Sequence, residues 1–120
     1  MDQRIRNIID FMKENLQRPL SVSELAHRVQ LSQSHLRRLF RDQTGESLTK
    51  YLKHLRLEHA QRLLETTYLS IKQISAGIGL TSTSHFVANF KKAYGVTPKR
   101  YANRYRKPQH LGAALELGKK

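Results

Sequence analysis

The segment 33–43 places three arginines and a serine on one side of a predicted helix. Positions i, i+3, i+4 and i+7 of a helix share a face, and here they are Ser34, Arg37, Arg38 and Arg41. The opposite side is apolar, with Leu36, Leu39 and Phe40. Arginine donates two hydrogen bonds to guanine O6 and N7 in the major groove, or clamps a phosphate. We predict that Arg37 and Arg38 contact bases and that Arg41 meets phosphate. A solvated surface face is the alternative, and the lack of an acidic partner on this stripe argues against it.

A second segment, 83–94, carries a chemically different stripe. Its corresponding positions are Ser84, Val87, Ala88 and Lys91, on the side away from Phe86 and Phe90. Valine and alanine donate nothing to bases, but they pack against thymine methyl groups. The start of this segment is predicted to contact bases, through Thr83, Ser84 and His85. Phosphate contacts are assigned to Lys91 and Lys92 in this segment and to Ser32 and Gln33 at the start of the first segment.

The remaining polar residues indicate neither a metal site nor a catalytic centre. The six histidines include no H-x-x-x-H pair, and His54 and His59, five apart, do not share a helical face. His35 and His85 recur near the helix starts, where bonds to phosphate or base edges are expected. The chain has nine acidic residues without an evident catalytic pair, no cysteine and no P-loop. We predict no metal, no cofactor and no enzymatic activity.

Both segments belong to a repeat that covers most of the chain. Residues 21–51 read SVSELAHRVQLSQSHLRRLFRDQTGESLTKY, and residues 70–101 read SIKQISAGIGLTSTSHFVANFKKAYGVTPKRY. Pairs up to Leu31 lie 49 residues apart, and pairs from His35 onward lie 50 apart. One residue is therefore inserted next to Ser82-Thr83, in the turn between two helices. A repeat of this length is one supersecondary unit used twice.

The hydrophobic pattern predicts an all-α fold of about seven helices. The predicted helices are 2–17, 22–29, 33–43, 48–65, 71–78, 83–94 and a short one opened by Thr97-Pro98. Capping boxes at 21–24 and 70–73 begin the two short helices, and Ser32 and Thr81 are expected to begin the helices that follow. The segment after Pro108 is expected to be frayed.

Glycines are expected where the chain must leave a helix with a positive φ. Gly45 and Gly95 stand where a glycine ends each repeat's second helix. Gly79 suits the turn before it, whereas Gln30 occupies the matching position in the first copy. Because a side chain disfavours positive φ, mild strain is expected at Gln30.

The 48–65 helix carries two apolar faces. One consists of Leu48, Tyr51, Leu52 and Leu55. The other lies about 140° further round, at about 100° per residue, and consists of Leu57, Ala60, Leu63 and Leu64. A helix with one core partner keeps one stripe, so the switch near Arg56 predicts a helix shared by two lobes. The predicted domains are an N-terminal helix-turn-helix lobe (1–47), a linker helix (48–65), a C-terminal helix-turn-helix lobe (66–107) and a flexible tail (108–120).

The linker length suits two contacts on one duplex. At about 1.5 Å per residue this helix spans about 27 Å, and successive major-groove openings on one side of DNA lie roughly 34 Å apart. We therefore expect one monomer to place two recognition helices in successive major grooves.

The charge distribution favours a polyanionic partner. The 120-residue chain has a net charge of +13, of which the first 60 residues carry +4 and the last 60 carry +9. No acidic residue occurs between Thr66 and Leu115. A sustained positive field indicates nucleic acid or an acidic membrane surface. No apolar run approaches the roughly 20 residues that span a bilayer, the start does not read as a signal peptide, and the absence of cysteine fits a cytoplasmic location.

These residues resemble the AraC/XylS family of bacterial transcription activators. The similar stretches are LSQSHLRRLFRDQTGESLTKYL with LRLEHAQRLL, and ISAGIGLTSTSHFVANFKKAYGVTPKRY, within about residues 5–106. The resemblance implies two helix-turn-helix units joined by a long helix, binding an asymmetric promoter site as a monomeric module. It also implies that the groove-facing positions are Ser34, Arg37, Arg38, Thr83, Ser84, His85 and Ala88.

The chain departs from the family pattern at a few positions. Val87 and Ala88 stand where a polar residue, often arginine, is expected. Gln30 replaces a common glycine, and Leu80 a common phenylalanine. Many relatives carry a separate effector-binding or dimerisation domain, and nothing here matches one. A stand-alone regulator and a fragment of a longer one are therefore both open.

The sequence favours sequence-specific binding of double-stranded promoter DNA for transcription regulation, in the direction of activation, with RNA polymerase as a further partner. A non-specific architectural or membrane-surface binder is the alternative, and it needs a uniformly basic face, whereas the two stripes differ. A third class is an enzyme that borrows such a module. Zero cysteines and the missing acidic cluster argue against it.

Overall fold

The computed structural model describes residues 1–80 and 82–106, and all regular structure in that part of the chain is helical. The helices are α1 (Gln3–Glu14), α2 (Val22–Arg28), α3 (Gln33–Thr44), α4 (Leu48–Thr66), α5 (Ile71–Gly77) and α6 (Thr83–Tyr94). A further helix, α7, runs from 98 to 106, where the described residues end. The all-α prediction is confirmed. The predicted tail, 108–120, lies outside the described residues.

The first helix is shorter than its apolar pattern predicts. It ends at Glu14 rather than residue 17. Asn15 leaves the helical conformation, with φ −132°, and its side-chain amide donates to the Phe11 carbonyl at 2.8 Å. Leu16 is still buried beyond this turn. The apolar periodicity therefore continues to residue 16, because Leu16 packs in the same core although it lies beyond the end of α1.

Serine caps begin the short helices α2 and α5. The Ser21 hydroxyl accepts from the Glu24 N–H and the Ser70 hydroxyl from the Gln73 N–H, each at 3.0 Å. Gln73 also accepts from the Ser70 N–H at 2.8 Å, which completes the predicted capping box. In α2 the Glu24 carboxylate binds the Arg18 guanidinium at 2.6 Å instead. The prediction is thus confirmed for α5 and only half met for α2.

The helices α3 and α6 begin at equivalent serines. Ser32 and Ser82 accept from the backbone N–H three residues on, at 3.1 and 3.2 Å. Ser32 is the predicted cap, whereas the prediction of Thr81 for α6 is wrong because the cap is Ser82. The two caps are 50 residues apart, whereas Leu31 and Leu80 are 49 apart. The inserted residue of the second copy is therefore at position 81.

Positive φ angles occur where the repeat predicts them. Gly45 and Gly95 end α3 and α6 in the left-handed region, at φ 81° and 82°. In the turn before α6, Gly79 has φ 82°, and in the turn before α3, Gln30 has φ 58°. The backbone follows the same path in both copies, although only one of them has glycine in this turn.

Contacts divide the chain into two compact units, Met1–Arg56 and the part from Leu57 onward. The core of the first unit consists of Ile5, Ile8, Ile9, Met12, Leu16, Leu25, Ala26, Leu36, Phe40, Leu48, Leu52 and Leu55. Within it, the Phe40 and Tyr51 rings meet edge to face, with centroids 5.2 Å apart and planes at 85°. This arrangement is one of the two that aromatic quadrupoles favour.

The second unit repeats this packing with its own residues. Its core consists of Leu57, Ala60, Leu64, Ile74, Ile78, Phe86, Phe90, Tyr101 and Ala102. The Phe90 and Tyr101 rings again meet edge to face, at 5.6 Å and 68°. Half of α4 contributes to each core, so its two predicted apolar faces are both used.

Two equivalent arginines anchor loops through backbone carbonyls. Arg56 donates to the Leu16 carbonyl at 3.2 Å and to the Arg18 carbonyl at 2.7 Å. Arg106, 50 residues later, donates to the Leu64 carbonyl at 3.2 Å and to the Leu69 carbonyl at 2.9 Å. Burial lowers the pKa of both guanidinium groups. Arg56 thus holds the segment that follows α1, and Arg106 joins the end of α4 to the segment that follows it.

Candidate nucleic-acid interface

The helix α3 is fixed by its apolar side, which leaves its polar side in solvent. Leu36 and Phe40 are fully buried, and Leu39 is half-buried against the same core. The residues of the predicted stripe are all exposed, namely Ser34, Arg37, Arg38 and Arg41. The structure brings these four together on one accessible surface of the first unit.

These residues line an open groove together with the start of α4. Its volume is about 460 Å³, and its lining residues are Val22, Ser34, Arg37, Arg38, Arg41, Ser47, Leu48 and Thr49. The Ser47 hydroxyl caps α4 by accepting from the Lys50 N–H at 3.2 Å. Ser47 and Thr49 were missed by the sequence reasoning. The repeat indicates the role of Ser47, because Thr97 is its equivalent 50 residues later. Thr97 caps α7 in the same way, by accepting from the Arg100 N–H at 3.2 Å.

The groove arginines keep their hydrogen-bond donors for an external acceptor. Within residues 1–80 and 82–106 the ion pairs lie elsewhere, at Arg4–Asp2, Arg18–Glu24 and His54–Glu46, with distances of 2.9, 2.6 and 2.9 Å. Hydrogen bonds from Arg4 hold the pKa of the Asp2 carboxyl at about 2. That carboxylate is therefore ionised and already paired. The groove consequently presents uncompensated positive charge.

The helix α6 occupies the same place in the second unit. Phe86 and Phe90 are fully buried. On the outer side the exposed residues are Ser84, His85, Ala88, Lys91 and Lys92, and the half-buried ones are Thr83 and Val87. The predicted base and phosphate contacts of this helix thus lie on accessible surface.

The start of α3 offers two further polar groups. Ser32 and Gln33 are both exposed. The Ser32 oxygen accepts from the His35 N–H, which leaves its hydroxyl proton free to donate. Backbone N–H groups and partial positive charge at a helix N-terminus favour an anion such as phosphate.

Among the described residues there is neither a group of metal ligands nor a membrane-spanning helix. No three or more histidine, cysteine, aspartate or glutamate side chains within residues 1–80 and 82–106 are grouped so as to hold a metal ion. In the same part of the chain, no helix has the length and apolarity needed to cross a membrane.

Two helical units, each turning the outer face of a capped second helix to solvent, define a double helix-turn-helix module for binding nucleic acid. A family model described as a helix-turn-helix domain matches residues 25–104. Over 109 residues the chain is 33% identical to the transcriptional activator RhaR of Yersinia pseudotuberculosis, covering 91% of this chain and 38% of that protein. It is 30% identical over 105 residues to the lactose operon transcription activator of Staphylococcus xylosus, covering 88% and 38%. The chain thus spans 38% of the length of these relatives.

Solved structures show the same fold. An AraC-type DNA-binding domain from Chromobacterium violaceum is 31% identical, with a TM-score of 0.82 over 88% of this chain and 95% of that one. The DNA-binding domain of AdpA, solved in complex with a target DNA, is 29% identical, with a TM-score of 0.82 over 87% and 94%. The chain belongs to the AraC-type helix-turn-helix family of DNA-binding transcription regulators.

Proposed function

We propose that this chain directs transcriptional activation by binding a specific sequence of double-stranded promoter DNA with α3 and α6. The observation that carries the proposal is the groove beside α3, where Arg37, Arg38 and Arg41 are exposed and free of carboxylate partners among the described residues. Arginine there matches both the acceptors of guanine and the phosphates on either side of a major groove.

The proposed contacts divide into two groups by chemistry. Base edges would be contacted by Ser34, Arg37, Arg38, Thr83, Ser84, His85 and Ala88. Phosphates would be contacted by Ser32, Gln33, Arg41, Lys91 and Lys92. Phosphate contacts position a protein on the duplex, and base contacts select the sequence. Eleven of these twelve side chains are exposed and Thr83 is half-buried, which supports their availability to a ligand.

We further propose that the chain acts as a monomeric module without a catalytic step, in the cytoplasm, with RNA polymerase as its protein partner. The two recognition helices, α3 and α6, would enter successive major grooves of one duplex. Each of the two units presents the outer face of its own second helix to solvent, which supports the use of both helices.

A binding selection from a random DNA pool with the purified protein tests the proposal. The expected result is one reproducible asymmetric motif spanning about two turns of duplex. Arg38→Ala protein, carried through the same selection, should return a motif with fewer specified positions. If the wild-type protein enriched no common sequence, an architectural binder would replace the proposed regulator. A motif of a single groove width would contradict the use of both helices.

A further inference from the structure

The recognition helices α3 and α6 present opposite chemistry at equivalent positions. Arg37 and Arg38 in α3 correspond to Val87 and Ala88 in α6, 50 residues later. The serine before them is the same, since Ser34 corresponds to Ser84. The two helices therefore share a backbone frame and differ in the side chains at its centre.

The centre of the outer face of α6 is a small apolar surface. Ala88 is exposed and Val87 is half-buried. They lie four and three residues after Ser84, so all three share one face of the helix. Because these apolar side chains carry no hydrogen-bonding group, they offer a ligand only van der Waals contact.

Positive charge borders this apolar surface on one side. Lys91 and Lys92 are exposed, four residues after Val87 and Ala88 respectively. They lie one helical turn further on, on the same side of α6. A ligand that fits this face must therefore combine an apolar group with nearby anionic groups.

Thymine in double-stranded DNA has both features. Its C5-methyl group is the only methyl group that base pairs display in the major groove, and phosphates line the groove on either side. Alanine and valine contact that methyl without needing a hydrogen-bond partner. Guanine and adenine, whose major-groove atoms are donors and acceptors, would leave those atoms unpaired against this surface.

We propose that α6 recognises thymine methyl groups through Val87 and Ala88, so that the half of the DNA site bound by α6 is specified by thymine while the half bound by α3 is specified by guanine. This inference rests on the proposed function and assigns the bases that each helix selects.

Deoxyuridine substitution in the selected DNA site tests the assignment. Deoxyuridine pairs as thymine does but lacks the methyl group. The half bound by α3 is first located as the positions that Arg38→Ala protein no longer specifies. Each specified thymine in the other half is then replaced by deoxyuridine, and the dissociation constant is measured by fluorescence anisotropy.

The expected loss is roughly fourfold for each thymine methyl that the protein buries. The same replacement in the half bound by α3 should change affinity by less than about twofold. Val87→Ala removes two methyl groups from α6 and should shrink the deoxyuridine effect. Arg37→Ala, at the equivalent position of α3, is the matched control and should leave that effect unchanged. Thermal unfolding of both variants shows whether each is folded.

Three results would overturn the inference while leaving the proposed function intact. One is a selected site whose second half specifies no thymine. Another is full affinity for the deoxyuridine-substituted site. The third is a deoxyuridine effect that Val87→Ala, in its folded form, does not alter. Absence of any specific motif in the initial selection would instead contradict the proposed function.

Discussion

Gln30 and Gly79 hold the same left-handed backbone conformation at equivalent places in the repeat, at φ 58° and 82°. Each lies in the turn that joins the two helices of a helix-turn-helix unit. A left-handed residue with a β-carbon costs about 1–2 kcal/mol relative to its ordinary conformation. Gln30 is exposed, so its side chain offers no packing in return. The geometry of the turn is thus imposed by the helices on both sides of it.

The first prediction follows from this difference. Gln30→Gly should raise the free energy of unfolding by up to about 1 kcal/mol, because relief of the backbone strain exceeds the extra entropy of glycine in the unfolded chain. The reverse change in the other copy, Gly79→Gln, should lower it by about 1–2 kcal/mol. Differential scanning calorimetry measures both. Equal, opposite effects are not required, but a destabilised Gln30→Gly protein would contradict the account.

A second prediction concerns the anchoring arginine of the first unit. Arg56 satisfies the carbonyls of Leu16 and Arg18, which follow the end of α1. Arg56→Ala leaves two acceptors without their donor and should lower the free energy of unfolding by about 1–3 kcal/mol. Arg56→Lys carries the charge but lacks the planar pair of donors, so it should recover only part of the loss. Urea denaturation compares the three proteins. Full recovery by lysine would mean that charge alone matters at this position.

The sequence predicts the helices well because their ends are marked by residues with local effects. Ser32, Ser70, Gly45 and Gly95 act on the backbone beside them, so type and position suffice to place each cap. The error at Thr81 has a related cause. Two hydroxyl residues, at 81 and 82, stand before α6, and only the accepted hydrogen bond shows that Ser82 is the cap.

Long-range contacts were beyond sequence reasoning. No local sequence pattern marks Arg56 or Arg106, although their 50-residue spacing fits the repeat. Nothing local says that they reach carbonyls about forty residues away. Thr49 was missed in the groove for the same reason, since its place beside Arg41 depends on how α3 and α4 pack.

A third prediction concerns alkaline pH and Tyr101. Burial raises the pKa of the Tyr101 phenol, as do its hydrogen bonds with Glu65 and Tyr105. The ordinary value is about 10, so the folded protein holds this proton more tightly than the unfolded chain does. The stability that this group contributes is therefore fully present below about pH 10 and is lost as pH rises above it.

Tyr101→Phe should remove this pH dependence together with two hydrogen bonds, one accepted from the Gln61 amide and one donated to the Glu65 carboxylate. We expect a loss of about 1–3 kcal/mol at neutral pH and a shallower decline of Tm between pH 9 and 11. Tyr94, whose pKa is also raised by burial and by Glu58, should maintain part of the decline. A decline as steep in the variant as in wild type would show that Tyr101 is not its source.

A fourth prediction compares the two recognition helices. Arg38→Ala should weaken binding to the selected site by about 1–3 kcal/mol and relax the preference at one base position. Ala88→Ser, at the equivalent position, keeps the β-carbon and should change affinity little. Electrophoretic mobility shifts with the selected site and with single-base variants measure both effects. Equal damage from the two substitutions would show that α3 is not the dominant reader of sequence.

The last prediction separates the phosphate contacts from the base contacts by their response to salt. If roughly six to ten phosphates are neutralised, the logarithm of the association constant should fall against the logarithm of salt concentration with a slope of about −5 to −9. Arg41→Gln or Lys91→Gln should make the slope shallower by about one, on specific and non-specific duplexes alike, because each removes one phosphate contact. Arg38→Ala should mainly reduce the difference in affinity between the two duplexes, because a base contact carries the sequence preference. A slope near zero for the wild-type protein would show that phosphate neutralisation does not drive binding. A shallower slope for Arg38→Ala but not for Arg41→Gln would show that Arg38 contacts phosphate and Arg41 a base.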